Sequence, residues 1–343
     1  MCGQVERRRN MADKELPERP ITRVQLTGCT PEPLMGYLKA IGVFRLVAEQ
    51  ADPQARLAWE GGIPWLTSHL TRQELIDFFV ARYQPTPIVA PWNGGSGFYS
   101  GGREPLELLE HSNNDRLHVY RETLQRIRQF LPESKPKEDA KEALLEQCRA
   151  RLPDEVVPWL DACFVLGDSG AIYFPLLGTG GNDGRLDFTN NFLQRITEIL
   201  PANSGDPAPA STERLLEAAL FADVLVSLGR TSIGQFSPGG IGGPNGTQGR
   251  FEADSRVNPW DFVLLIEGTL LFAGSAARRL GQRTSLRAVF PFSVDSIAVG
   301  YGSAVASEET SEGSRAETWL PLWQEPATLA EKAPLVCRRT RPM

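Results

Sequence analysis

The chain has 343 residues, 41% hydrophobic and 23% charged, which is enough apolar sequence for one large or two ordinary cores and excludes a low-complexity chain. Its net charge of −6 excludes a protein that coats nucleic acid by bulk attraction, while a local basic groove stays compatible with it. The five cysteines, Cys2, Cys29, Cys148, Cys163 and Cys337, are odd in number and scattered without a C-x-x-C pair, which predicts free thiols in a reducing, cytoplasmic setting.

The first 20 residues carry charge but no apolar signal core, and are expected to be an extension, with Met11 a second candidate start. Val24, Leu26 and the Gly28-Cys29 pair predict a short strand and turn. Pro31 and Pro33 then open a helix in which Leu34, Tyr37, Leu38, Ile41, Phe44 and Ala48 recur at helical spacing as far as Asp52-Pro53. A strand is expected within Ile63–Leu70. Thr71 and Glu74 have capping-box spacing and start a helix whose Leu75, Phe78 and Phe79 point inward.

That helix leads into PTPIVAPWNGGSGF, from Pro85 to Phe98. Pro85, Pro87 and Pro91 stiffen an extended arm, whereas Asn93, Gly94, Gly95, Ser96 and Gly97 form a flexible, amide-rich loop flanked by Trp92, Phe98 and Tyr99. Two readings stand side by side: a binding loop, or a turn whose aromatic residues anchor it to the core.

A helix is expected over Asp115–Leu131, with Arg121, Arg126 and Arg128 either facing a phosphate backbone or forming a solvated surface. Pro132–Asp139 reads as a charged linker, Lys141–Leu152 as a helix, Val156–Val165 as an apolar helix or buried segment and Ala171–Leu177 as a strand. The strand runs into GTGGNDGR, whose Gly180, Gly181, Asn182 and Arg185 precede a helix through Leu200, an order that presents amides to an anion. Pro201–Ala210 is a loop or linker, and Ser211 or Thr212 caps a helix expected to reach Leu228. A third, longer loop, 229–257, contains SPGGIGGPNGTQGR with Asn245 and Arg250. Asn258 and Pro259 cap an apolar helix expected through Leu280, with Arg278, Arg279, Arg283 and Arg287 at its end and just beyond, suited either to the helix dipole or to a phosphate. The apolar run 262–277 contains Glu267 and is too short for a membrane span, so no membrane partner is expected.

The chemistry-bearing motifs are few. His69, His111 and His118 are the only histidines, and there is no H-E-x-x-H, G-x-S-x-G, phosphate-loop Gly-Lys pair or metal-spaced carboxylate cluster, so neither a catalytic residue nor a cofactor nor a metal is expected.

Taken together, PTPIVAPWNGGSGF (85–98), GTGGNDGRLDFTNNF (178–192), SPGGIGGPNG (237–246), NPWDF (258–262), the opening GCTPEPLMGYLKAIGVFRLVAEQ from Gly28 and PLWQEPATLAE from Pro321 resemble the large subunit of type I-G (formerly I-U) CRISPR interference complexes. The resemblance spans about Gly28 to Glu331. It implies a non-catalytic large subunit of an RNA-guided, Cascade-like antiviral complex, partnered by backbone and RNA-processing subunits, target double-stranded DNA and a separate helicase-nuclease. On that reading Trp92 stacks or wedges, Asn93 bonds to a base or sugar, and the loop residues and arginines named above contact nucleic acid. Family members continue beyond LAE, whereas here KAPLVCRRTRPM follows, so residues 331–343 are expected to be an atypical tail.

The expected fold is helix-rich α+β with long Gly-rich loops, in two loosely separated lobes, 21–200 and 211–330, joined at 201–210, with the three glycine loops converging on one face. The alternative function is an enzyme or binding protein for a phosphorylated small molecule, held by the same amide loops.

Overall fold

A computed structural model of the chain describes residues 20–99, 102–167, 170–178, 181–183, 186–229, 236–237, 256–278, 286–295 and 316–331. The fold is α+β and helix-rich, with small antiparallel sheets. Its centre is helix α1 (Leu34–Gln50), in which every residue from Gly36 to Ala48 is buried. An all-round buried helix needs neighbours on every side, and the closest is α9 (Pro259–Thr269), itself buried at ten of its eleven positions. The two backbones touch. A Cβ on Gly42 would lie 2.0 Å from the Leu264 carbonyl oxygen, and one on Gly268 would lie 2.0 Å from that of Leu38. Only glycine at both crossing positions allows this approach.

Burying α1 also buries two cations, and each has an anion on α9: Lys39 Nζ lies 2.5 Å from Asp261 and Arg45 Nη1 lies 2.7 Å from Glu267. Buried charge persists in an apolar core only when paired in this way.

One flank of α1 is covered by a four-stranded antiparallel sheet of order β1 (Thr22–Gln25), β3 (Ile63–Ser68), β2 (Arg56–Glu60) and β12 (Ala327–Thr328). Strand β2 was not anticipated, yet its hairpin signal is explicit: Gly61 and Gly62 take φ of +59° and +82°, the two left-handed positions of a tight hairpin turn. β12 brings the PLWQEPATLAE segment back to β2, where Trp323 Nε1 donates to Leu57 O at 2.5 Å and Trp59 N donates to Trp323 O at 2.8 Å.

Several boundaries match the sequence reading. The Thr71–Glu74 capping box starts α2 (Arg72–Asp77), which widens into a π-helical turn at Phe78–Arg82, and Asn258 caps α9 by accepting from Trp260 N. Helices α4 (His118–Arg128), α5 (Glu138–Arg151), α6 (Val157–Cys163) and α7 (Phe188–Ile199) lie within or close to the expected segments. Strand β4 (Phe164–Gly167) pairs with β5 (Gly170–Tyr173). Helix α3 (Glu104–His111) was not anticipated.

Two helices are shorter than expected. α8 (Thr212–Phe221) stops because Ala222 turns left-handed at φ 55° and Gly28 N takes the Leu220 carbonyl at 2.9 Å. Nor does a side chain of Ser211 cap it; the Thr212 hydroxyl instead donates to Ile199 O at 3.1 Å. The apolar helix ends at Thr269 and not Leu280, since Gly274 N donates to Asp161 O at 2.7 Å and a Cβ there would meet Phe290 and Val165 within 3 Å. The chain therefore leaves as strand β8 (Ser275–Arg278), paired with β9 (Leu286–Val289). Beyond it β10 (Ser293–Asp295) pairs with β11 (Ala316–Thr318).

The segment 201–210 does not divide the hydrophobic core. One buried cluster runs from Val24 through Trp92 and Trp159 to Trp260 and Phe290, and both the α1–α9 crossing and the β2–β12 pairing join elements from either side of that segment.

Candidate functional site

Among the described residues the proline arm has no strand partner, and its backbone polar groups bond to side chains. They do so residue by residue. Thr86 N and Oγ1 donate to Glu267 Oε1 and Oε2 at 2.9 and 2.7 Å. Tyr120 Oη accepts from Ile88 N at 2.8 Å and donates to Ile88 O at 3.1 Å. Trp159 Nε1 donates to Val89 O at 2.7 Å, and Tyr99 Oη to Pro91 O at 2.7 Å. Just upstream, Arg116 donates to the carbonyls of Phe79, Val80 and Tyr83 at 2.8–3.0 Å, closing the end of the π-helical turn; burial pulls its guanidinium down to about 10. The arm is thus a buried, fixed strut.

This placement corrects the expected role of Trp92. Its side chain has no exposed surface and meets the Phe164 ring edge-on, with centroids 5.4 Å apart. A ring so enclosed anchors the loop and cannot stack on a base in this conformation. Phe98, Asn93 and Ser96 are likewise buried, with Ser96 Oγ donating to Asn93 O at 2.6 Å. Gly97 is buried too, at φ +85°, where a Cβ would meet Gly102 O at 2.8 Å. What faces outward is backbone: Gly95 is exposed and Gly94 half-buried.

The 93–98 loop meets the 178–187 segment at the start of α7, where Phe236 also packs. A Cβ on Gly95 would lie 3.2 Å from that of Asp187, and Phe188 packs on Phe236 with ring centroids 4.9 Å apart. Here Asp187 caps α7, its Oδ1 accepting from Thr189 N at 3.0 Å, Asn190 N at 3.2 Å and the Thr189 hydroxyl. Two amides at the start of α7, Thr189 N and Asn190 N, are thus occupied by the chain's own carboxylate. Asp187 Oδ2 has no hydrogen-bond partner among the described residues, and burial raises the carboxyl to about 6 against the pull of the Thr189 and Asn190 hydrogen bonds.

Gly181, buried at φ +94°, belongs to this junction, and Asn182 lies in the short strand β6 (Asn182–Asp183), paired with β7 (Leu186–Asp187). Gly180, Arg185, Asn245, Arg250, Arg279 and Arg283 lie outside the described residues. Arg278 and Arg287 are not at a helix end, since α9 has already stopped; they occupy adjacent rungs of the β8–β9 ladder, opposite Leu286 and Ala277. The arginines of α4 have internal partners: Arg121 donates to Asn114 O at 2.6 Å, Arg126 pairs with Glu122 at 2.5 Å and Arg128 with Glu110 at 2.7 Å. These pairings match the surface reading of that helix.

Sequence reasoning missed the residues that position the loop. Glu267 is the centre of them, fully buried and accepting from Tyr83 Oη at 2.7 Å as well as from Arg45 and Thr86. Its signal was a lone carboxylate inside an otherwise apolar helix. Among the described residues no group of three or more His, Cys, Asp or Glu side chains is placed to hold a metal ion, and no helix is long and apolar enough to cross a membrane. Cys29, Cys148 and Cys163 are buried free thiols. No protein-family model matches the chain, and no curated protein matches it.

Proposed function

We propose that this chain is the large subunit of an RNA-guided, DNA-targeting complex of the type I-G CRISPR kind, acting in the cytoplasm. It binds target duplex, takes part in reading the flanking motif and holds the displaced strand, while a separate helicase-nuclease cuts. The observation that supports this reading is that, among the described residues, several stretches carrying the sequence resemblance pack against one another. The 28–50 stretch crosses the helix opened by NPWDF, the 85–98 loop abuts Asp187 of the 178–192 stretch, and PLWQEPATLAE pairs with the sheet beside α1.

Against the alternative, a phosphorylated small molecule held by the same amide loops, stands the occupation of two α7 amides, Thr189 N and Asn190 N, by Asp187. The test is co-expression with the CRISPR-RNA-bearing backbone and RNA-processing subunits of a type I-G complex. Co-purification in one complex, and binding of a guide-matched duplex that drops when this chain is omitted, are the expected results. A complex that forms and binds target equally well without it overturns the proposal.

A further inference from the structure

The linker before α5 places three lysines close together on the surface. Pro136 is buried and pins the segment, leaving Lys135 and Lys137 exposed on either side of it and Lys141 half-buried one turn into the helix. Lys135 reaches over the glycine loop, its Cδ 3.0 Å and Nζ 3.4 Å from where Gly94 would carry a Cβ. Lys141 Nζ sits 4.7 Å from the centre of the Tyr173 ring, and that ring packs on Phe164, the residue that holds Trp92.

Among the described residues none of the three lysines makes an ion pair, although ten arginine or lysine pairs with carboxylates form elsewhere. Glu142, adjacent in sequence, is turned toward Gly170. Burial first, and the neighbouring Lys135 charge second, pull the Lys141 ammonium below the ordinary lysine range. Lys135 and Lys141 are like charges close enough for one to lower the other, Lys141 lying on the Tyr173 ring, whose hydroxyl also feels the Glu142 carboxylate, and an external anion that bridges the two ammonium groups relieves their repulsion.

We propose that Lys135 and Lys141, with the exposed backbone of Gly94 and Gly95 between them and the core, bind the phosphodiester backbone of nucleic acid. This rests on the DNA-binding reading above and names the residues through which the 93–98 loop meets DNA. A phosphodiester chain fits better than an isolated anion for two reasons. Lysine is a point-charge donor suited to tracking successive phosphates, and a glycine tip has no Cβ to keep a backbone away. The aromatic residues of the loop are enclosed, so the DNA is met here through phosphate and not by stacking.

The test uses the full chain and its Lys135→Gln/Lys141→Gln variant, with Arg56→Gln as a surface-charge control, checked for equal thermal melting. A fluorescent duplex is titrated over a range of salt concentrations. The double variant is expected to bind more weakly and to lower the slope of log affinity against log salt by about 0.9 for each phosphate no longer neutralised, about 1.8 in all. A Lys135→Arg/Lys141→Arg variant is expected to restore the slope. A second readout needs no variant: amine acetylation followed by mass spectrometry, in which duplex protects Lys135 and Lys141 of the wild-type chain.

Wild-type binding with an unchanged slope in the double variant and no protection overturns this site while leaving the DNA-binding reading standing. Absence of any duplex binding by the wild-type chain, alone and within its complex, overturns both. Equal displacement of duplex by polyglutamate at matched charge, with the same protection pattern, assigns the lysines to an acidic protein partner and overturns the nucleic-acid assignment.

Discussion

Replacing Glu267 with alanine is the sharpest test of how the arm is held. Glu267 is completely buried and accepts four hydrogen bonds, from Arg45, Tyr83 and both donors of Thr86. Alanine leaves Arg45 with only the partly exposed Glu49 as counter-ion, 3.0 Å away, and strands the Thr86 amide and the Tyr83 hydroxyl in the core. Breaking a buried ion pair from one side costs about 3–5 kcal/mol. With a urea dependence of about 3 kcal/mol per M, the unfolding midpoint falls by about 1–1.7 M. Hydrogen exchange adds residue detail: the Thr86 amide exchanges faster in the variant, while the Ile88 amide, bonded to Tyr120, keeps most of its protection. Replacing both partners, Arg45→Met with Glu267→Leu, is expected to cost clearly less than the sum of the two single changes, because no unpaired charge remains. A Glu267→Ala midpoint within about 0.3 M of wild type, which is about 1 kcal/mol, refutes the reasoning.

Gly42→Ala or Gly268→Ala forces α1 and α9 apart, since each new Cβ would sit 2.0 Å from a backbone oxygen; loss of soluble folded protein or a cooperative melt at much lower temperature is expected, and near-native stability of both variants counts against the crossing. Trp92→Ala empties a fully buried site and should destabilise by about 3–5 kcal/mol in urea titrations, so wild-type stability with selective loss of DNA binding would return Trp92 to a contact role. Asp187 has its carboxyl raised to about 6 from 3.8, so the folded state holds a proton that the unfolded state has released. Its contribution is therefore complete below about pH 4 and is lost as pH rises toward 6. Stability of wild type relative to Asp187→Asn, measured by urea midpoint, should fall across that window and then level; a difference independent of pH refutes it.

Local chemistry alone determined the elements whose causes lie within a few neighbouring residues. The Thr71–Glu74 capping box, the Asn258-Pro259 helix start and the inward Leu75, Phe78 and Phe79 depend on one turn of chain, and each stands where the sequence put it. The 93–98 loop was legible as a loop for the same reason, because glycine and proline act on the backbone dihedrals of their own position. The tertiary structure decided everything that needed a distant partner. Trp92 reads equally as a wedge or an anchor until Phe164 closes over it, and the helix after Pro259 looks long until Gly274 must bond Asp161. Glu267 and Arg45 lie 222 positions apart, so neither the pairing nor the strut it holds is written in any local pattern. The lysines at 135 and 141 read as part of a charged linker, and only folding, by bringing Gly94 and Tyr173 to them, makes them one place on the surface. Burial and charge pairing are properties of what surrounds a side chain, and those surroundings exist only once the chain has closed on itself.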